Sequence, residues 1–142
     1  MTTYTYRKDR TDIDWTQVTR LLNGFGLTRF TPAETEKAFS NSAVNVFILD
    51  GGKVIGCGRA LSDGISQAAI YNIAVDEAYH GQGLGKKLIA LILEETADCN
   101  VILYTHPDTV TWYEEQGFRR MKTGLALYHP DKLAAITRMG FI

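Results

Sequence analysis

Residues 80–86 of this 142-residue chain read His80, Gly81, Gln82, Gly83, Leu84, Gly85, Lys86. Three alternate glycines stand between a hydrophobic run, NIAV at 72–75, and an apolar stretch, KKLIALILEE at 86–95. Glycine weakens a helix by ~1 kcal/mol relative to alanine, so three at a helix entry need a physical reason. The reason this spacing offers is close approach of backbone to an anion, with N–H groups and the positive end of the helix dipole binding a phosphate. Two phosphate loops are excluded by spacing. The triphosphate loop G-x-x-x-x-G-K followed by Ser or Thr needs glycine where His80 stands and a hydroxyl where Lys87 stands. The dinucleotide loop G-x-G-x-x-G needs its last glycine at Lys86 or Leu88.

The elements around this loop follow from caps, turns and alternation. TYTYRK (3–8) alternates and reads as a strand. Asp14 with Gln17 has capping-box spacing and starts a helix at Trp15 that ends near Asn23-Gly24. Thr31-Pro32-Ala33-Glu34 starts a second helix, running to about Phe39. NVFILD, Gly51-Gly52 and KVIGCGRAL form a hairpin signal, and after a break at Asp63-Gly64 comes a further strand, QAAIYNIAV at 67–75. The helix after the glycines reaches about Asp98 and is apolar on most faces. VILYT (101–105) is a buried strand, TVTWYEEQ (109–116) a short helix stopped by Gly117, and FRRMKT and LALYH two closing strands before a weakly helical tail at 131–142. The order β-α-α-β-β-β-α-β-α-β-β mixes hairpins with one crossover, and the expected class is α/β, an α+β mixed sheet with helices on both faces.

Composition narrows the function. A net charge of −1 gives no general attraction to nucleic acid or an anionic membrane, so neither is expected as a partner. The N-terminus MTTYTYRKDR lacks the apolar core of a signal peptide, and LIALIL (88–93) is too short to span a bilayer. Cys57 and Cys99 lack CxxC spacing and read as small hydrophobes, so no metal is expected and the cytoplasm is the expected location. No linker or repeat interrupts 1–142, which reads as one domain.

The stretch NIAVDEAYHGQGLGKKLI resembles the acyl-CoA loop of the GCN5-related N-acetyltransferase (GNAT) superfamily, Arg/Gln-x-x-Gly-x-Gly/Ala, entered from a strand and running into a helix. TWYEEQGF (111–118) resembles the later F-Y-E-K-x-G-F block of the same family, with one helix and one strand between the two. His80 departs from the usual Gln or Arg, and His106 stands where many members carry asparagine. The resemblance implies a GNAT-like acyl-CoA N-acyltransferase fold with a central mixed sheet of six to seven strands. It also implies acetyl-CoA as co-substrate and a primary amine of a small molecule or peptide as acceptor. Homodimers are common in the family. A non-catalytic acyl-CoA-binding sensor or scaffold of the same fold is the alternative.

By this resemblance, Ile73, Ala74 and Val75 bind the pantetheine arm and thioester through backbone atoms. His80, Gly81, Gln82, Gly83, Leu84, Gly85 and Lys86 form the pyrophosphate cradle, and Lys86 or Lys87 either adds charge there or remains a solvated surface group. Tyr113 points at the sulfur and protonates the departing thiolate, an ordering that suits a phenol near pKa 10 and a thiol near 8.5. His106 is a candidate base or a contact of the cofactor, since imidazole titrates in the right range. Tyr71 stands where some members place a glutamate and could line the acceptor pocket with Asn72. Phe30 and Tyr128, with Phe25 and Phe39, form an aromatic set in the segments that build that pocket, or belong to the core.

Overall fold

Asp14 Oδ1 accepts the backbone N–H of Gln17 at 3.2 Å, and from this cap helix α1 runs Trp15–Gly24. Thr31 and Glu34 satisfy each other's backbone in a reciprocal capping box, and α2 follows over Pro32–Ser40. Both starts fall where the sequence signals put them. The structure, a computed structural model, describes residues 3–142. It divides into two compact units, Met1–Leu103 and Tyr104–Ile142.

The first unit is built on a five-stranded sheet in chain order: β1 (Thr5–Arg7), β2 (Val44–Asp50), β3 (Lys53–Ser62), β4 (Gln67–Val75) and β5 (Asn100–Ile102). Neighbours are antiparallel except β4 and β5, which are parallel and joined through helix α3 (Leu84–Glu95). The β2–β3 turn uses Gly51 and Gly52 at φ of 55° and 85°, the left-handed backbone a tight hairpin demands. Val18 and Leu22 of α1 and Phe39 of α2 pack with Phe47, Cys57 and Ala74 on one face of the sheet. Side chains alternate along a strand, so Gly58 faces the other way, where an added Cβ would stand 2.5 Å from Ile73 Cδ1 and 3.1 Å from Ile92 Cδ1 of α3. Helices therefore cover both faces, as expected. Glycine at 58 lets α3 seat closely, and Leu88, Ile89 and Ile92 are buried there.

The second unit holds helix α4 (Val110–Glu115) and helix α5 (Pro130–Arg138), and none of its residues is fully buried. Its rings cluster edge to face: Tyr104 against Tyr128 and Phe141, and His106 against Phe141.

The sequence expectation of six to seven strands is corrected to five among the described residues. FRRMKT and LALYH, read as closing strands, form no strand, and Leu125 and Leu127 stand fully exposed. Alternation describes what a strand would bury, but pairing makes the strand, and these residues have no ladder. Two boundaries also move inward. Helix α3 stops at Glu95, where Thr96 Oγ1 donates to the Ile92 carbonyl at 2.9 Å, and β5 ends at Ile102. Cys57 is buried, as read from the sequence, whereas Cys99 is only partly so; both are free thiols.

Candidate active site

Strand β4 carries an irregularity that prepares a binding edge. In its ladder with β3, Cys57 pairs with Ala74 but Arg59 pairs with Tyr71, so Gly58 faces two residues, Asn72 and Ile73. Asn72 absorbs this bulge at φ 58°, a conformation asparagine tolerates better than most residues. On its other side β4 pairs with β5 only through Gln67–Ala69. From Ile70 to Val75 that edge has no strand partner among the described residues, and the Val75 carbonyl lies 2.7 Å from His80 Nε2. Ala74 and Val75 are buried and Tyr71, Asn72 and Ile73 partly so.

The chain then passes through a 3-10 turn, Glu77–Tyr79, into the glycine loop. Asp76 caps that turn by accepting the Ala78 N–H at 2.9 Å. Tyr79 donates its hydroxyl proton to Asp50 at 2.6 Å, which pushes its phenol up to about 12. His80 Nε2 lies 2.7 Å from the Val75 carbonyl oxygen. A carbonyl only accepts, so His80 carries a proton on Nε2 and ties the loop back to β4. Its ring stacks on Phe25 at 5.9 Å and 11°. The histidine that departs from the family pattern thus has a geometric role that sequence reasoning missed. Gln82 accepts a hydrogen bond from the Tyr4 hydroxyl.

Two of the three glycines need to be glycine for their backbone. Gly81 and Gly83 have φ of 82° and 75°, while Gly85 lies inside the first turn of α3. A Cβ at Gly81 or Gly83 would meet nothing within 4 Å, so the requirement from the protein is conformational and the space above both is open. Gly83 is the N-cap of α3 and offers no side-chain cap to the helix's first N–H groups. A helix start with uncapped donors and open space is built to take an anion. An anion bound there would meet the backbone N–H groups of Gly83, Leu84, Gly85 and Lys86. Lys86 and Lys87 are exposed, and Lys87 Nζ lies 5.4 Å from the Tyr6 ring.

On the face of the sheet that carries α1 and α2, β3 places a charged group the sequence analysis did not single out. Arg59 Nε donates to Asn72 Oδ1 at 2.6 Å and Nη1 to Ser42 Oγ at 3.1 Å. Its guanidinium lies 5.3 Å from the Tyr71 ring centroid and 5.9 Å from that of Phe39. The available signal was an arginine inside the otherwise apolar strand run KVIGCGRAL.

Phe30 is partly buried in the α1–α2 connection, where the Asn23 side chain clamps its backbone: Nδ2 donates to the Phe30 carbonyl at 2.9 Å and Oδ1 accepts the Phe30 N–H at 3.2 Å. Phe39 is fully buried and belongs to the core, the alternative raised for it from sequence. Asp63 accepts the N–H groups of Ile65, Ser66 and Gln67, a turn residue whose carboxyl those bonds hold well below its usual range.

Tyr113, His106 and Tyr128 belong to the second unit. Tyr113 is half-buried in α4, with Trp112 at 4.8 Å and Phe118 at 5.9 Å edge to face, and burial pushes its phenol above the usual 10. Its hydroxyl makes no hydrogen bond among the described residues, so the O–H is available as a donor. His106 caps the turn at Pro107–Thr109, its Nδ1 accepting the Asp108 N–H at 3.1 Å with Asp108 Oδ2 at 3.6 Å. Tyr128 packs on Tyr104 at 5.9 Å, in a stretch that does not form the strand expected for it. Among the described residues no three His, Cys, Asp or Glu side chains gather as metal ligands, and no helix is long and apolar enough to cross a membrane.

A strand with an open edge and a bulge thus runs into an uncapped, glycine-led helix start. Residues 42–120, more than half of the chain, match the family described as the acetyltransferase (GNAT) domain. The chain belongs to the GNAT family of acetyltransferases. It is 29% identical over 123 residues to an uncharacterised ycf52-like N-acetyltransferase of Prochlorococcus marinus, covering 82% of this chain and 68% of that protein. Among solved structures, a GNAT-family acetyltransferase of Streptococcus pneumoniae is similar with a TM-score of 0.77 and 27% identity, over 90% of this chain and 99% of that one. An acetyltransferase fold from Clostridium acetobutylicum, solved with acetyl-CoA, is similar in fold with a TM-score of 0.71 and 17% identity, over 89% and 96% of the two chains.

Proposed function

We propose that the protein moves the acetyl group of acetyl-CoA to a primary amine of a small molecule or peptide, by direct attack of the amine on the thioester, with residues 1–142 acting as one catalytic domain. The observation that carries this reading is the continuity of the open β4 edge with the left-handed Gly81 and Gly83 at the uncapped start of α3. The loop amides hold the pyrophosphate, and backbone groups of Ile73, Ala74 and Val75 hold the pantetheine arm and thioester. A backbone N–H directed at the thioester oxygen stabilises the negative charge that develops there as the nitrogen lone pair attacks the carbonyl carbon. The new C–N bond forms, the C–S bond breaks, and Tyr113 gives its phenolic proton to the sulfur. The proton released by the nitrogen leaves through water or His106. Tyr71 and Asn72, with Phe30 and Tyr128, line the acceptor side.

The test couples binding to turnover. Acetyl-CoA at 100 times its Kd should stabilise the fold by ~2.7 kcal/mol, read as a rise in Tm, because it binds the folded state alone. Thiol release should follow when an amine from an aryl, polyamine, aminoglycoside or peptide panel is added. No Tm shift at millimolar acetyl-CoA would sink the reading. A shift without thiol release from any amine would point to the non-catalytic acyl-CoA-binding module instead.

A further inference from the structure

Arg59 is a half-buried cation without a counter-ion. Among the described residues no carboxylate lies within ion-pair distance of it, whereas the exposed Lys8 and Arg120 are paired with Glu95 and Glu114. Its partners are neutral: Asn72 Oδ1, Ser42 Oγ and the faces of Tyr71 and Phe39. These two hydrogen bonds use two of the five N–H donors that a guanidinium carries, and Nη2 has no partner among the described residues. Across the ladder stands Asn45, only 4% exposed, whose Nδ2 donates to the Ser42 carbonyl and whose Oδ1 has no partner among the described residues. Removing a charge from water without pairing it is costly, and ring faces offset only part of that cost. Burial accordingly pulls the guanidinium below its usual value without discharging it.

The position of this cation gives it a use. Asn72, which receives the Arg59 Nε–H, is the bulge residue within the Ile70–Val75 stretch that has no strand partner on the β5 side among the described residues. The unused donors are a planar fork, which matches the two oxygens of a carboxylate or phosphate. We infer that Arg59 anchors an acidic group of the acceptor, so that the amine acetylated is one that also carries a carboxylate or phosphate. This rests on the acetyltransferase reading and goes further by giving the acceptor's chemical class. A neutral amine leaves the fork unpaired, and a site built to hydrogen-bond a group rejects the analogue lacking it.

The experiment uses two matched pairs, β-alanine with β-alaninamide and phosphoethanolamine with ethanolamine, on the full-length protein and on Arg59→Gln and Arg59→Lys. Binding in the presence of CoA is measured by calorimetry, and kcat/KM by thiol release. The expected result is a preference of about tenfold or more for the acidic member of at least one pair, the size of a charge-assisted hydrogen bond. Which pair shows it separates carboxylate from phosphate. The ratio should fall to within about threefold of unity in Arg59→Gln and keep an intermediate value in Arg59→Lys, with acetyl-CoA binding reporting that each variant is folded. Should Arg59→Gln fail to fold, the wild-type ratios and Arg59→Lys still decide. An arginine that only locks the bulge would change Tm and leave the ratios alone. Wild-type ratios near unity in both binding and turnover, or an undiminished preference in a folded Arg59→Gln, would overturn the inference. Arg59-dependent binding without turnover of any amine would instead overturn the acetyltransferase reading and leave the anion site standing.

Discussion

A phenol in water gives up its proton near pH 10, and half-burial between Trp112 and Phe118 makes Tyr113 hold it longer. The sign suits a proton donor, because a raised pKa keeps the protonated form present throughout the neutral and mildly alkaline range. The alkaline loss of activity that belongs to Tyr113 should therefore lie above pH 10, and an earlier fall would have to come from another group. Tyr113→Phe keeps the ring and its packing while deleting the donor. Its kcat should drop by roughly 10²-fold, the usual scale of general acid catalysis, with acetyl-CoA affinity within about threefold of wild type. Unchanged turnover, with chemistry as the slow step, would remove Tyr113 from the mechanism. For His106 the geometry sets a condition. Its Nδ1 already accepts the Asp108 N–H, so in the neutral ring the proton sits on Nε2, and taking a second proton means giving up the cap on the turn at Pro107–Thr109. A water that relays the amine's proton carries no such cost.

The start of α3 is where one element shows the difference between what the fold needs and what a ligand needs. Alanine at position 83 would have to adopt φ 75°, at a cost of ~1–2 kcal/mol for an L-residue. For a chain of this size that is a fall in Tm of roughly 3–8 °C. The added Cβ meets no protein atom within 4 Å, so steric loss cannot arise inside the fold. A further loss of about tenfold in acetyl-CoA affinity in Gly83→Ala, measured on protein still folded, would report the ligand's own approach to that backbone. Equal affinity in both proteins would argue that no phosphate sits there. Elements with local causes were legible in the sequence. The capping box of Thr31 and Glu34, the Asp14 cap and the Gly51-Gly52 turn lie within a few residues of what they control, and each formed as read. The Asn72 bulge and the Arg59 cluster were not legible, because their cause is non-local: Arg59 meets Asn45 and Tyr71 only once β2, β3 and β4 are in register. FRRMKT and LALYH failed for a related reason, since alternation carries no information about whether a pairing edge exists.

At the scale of the whole chain, burial is divided unevenly. Among the described residues, the buried ones all lie in the first unit, from Ile13 through Thr96, while residues 104–142 hold none. Local stability follows buried contact, so backbone amides of the second unit should open far more readily than those of β2, β3 and α3. In hydrogen exchange without ligand, peptides covering 104–142 should exchange within the earliest time points outside the hydrogen-bonded turns of α4 and α5, and peptides covering 44–60 and 88–92 should be the slowest. Adding acetyl-CoA then separates the two halves of the proposed mechanism. Protection gained over 72–75 and 80–87 reports the backbone edge and the glycine loop. Protection gained over 110–118 reports that the block containing Tyr113 engages the same ligand. The matched family region, 42–120, includes both stretches, and the proposed chemistry requires both to respond. Protection confined to the first unit would leave the donor site standing and take the proton-donor role from Tyr113. Protection in neither would show that the uncapped start of α3 does not hold CoA, whatever its likeness to loops that do.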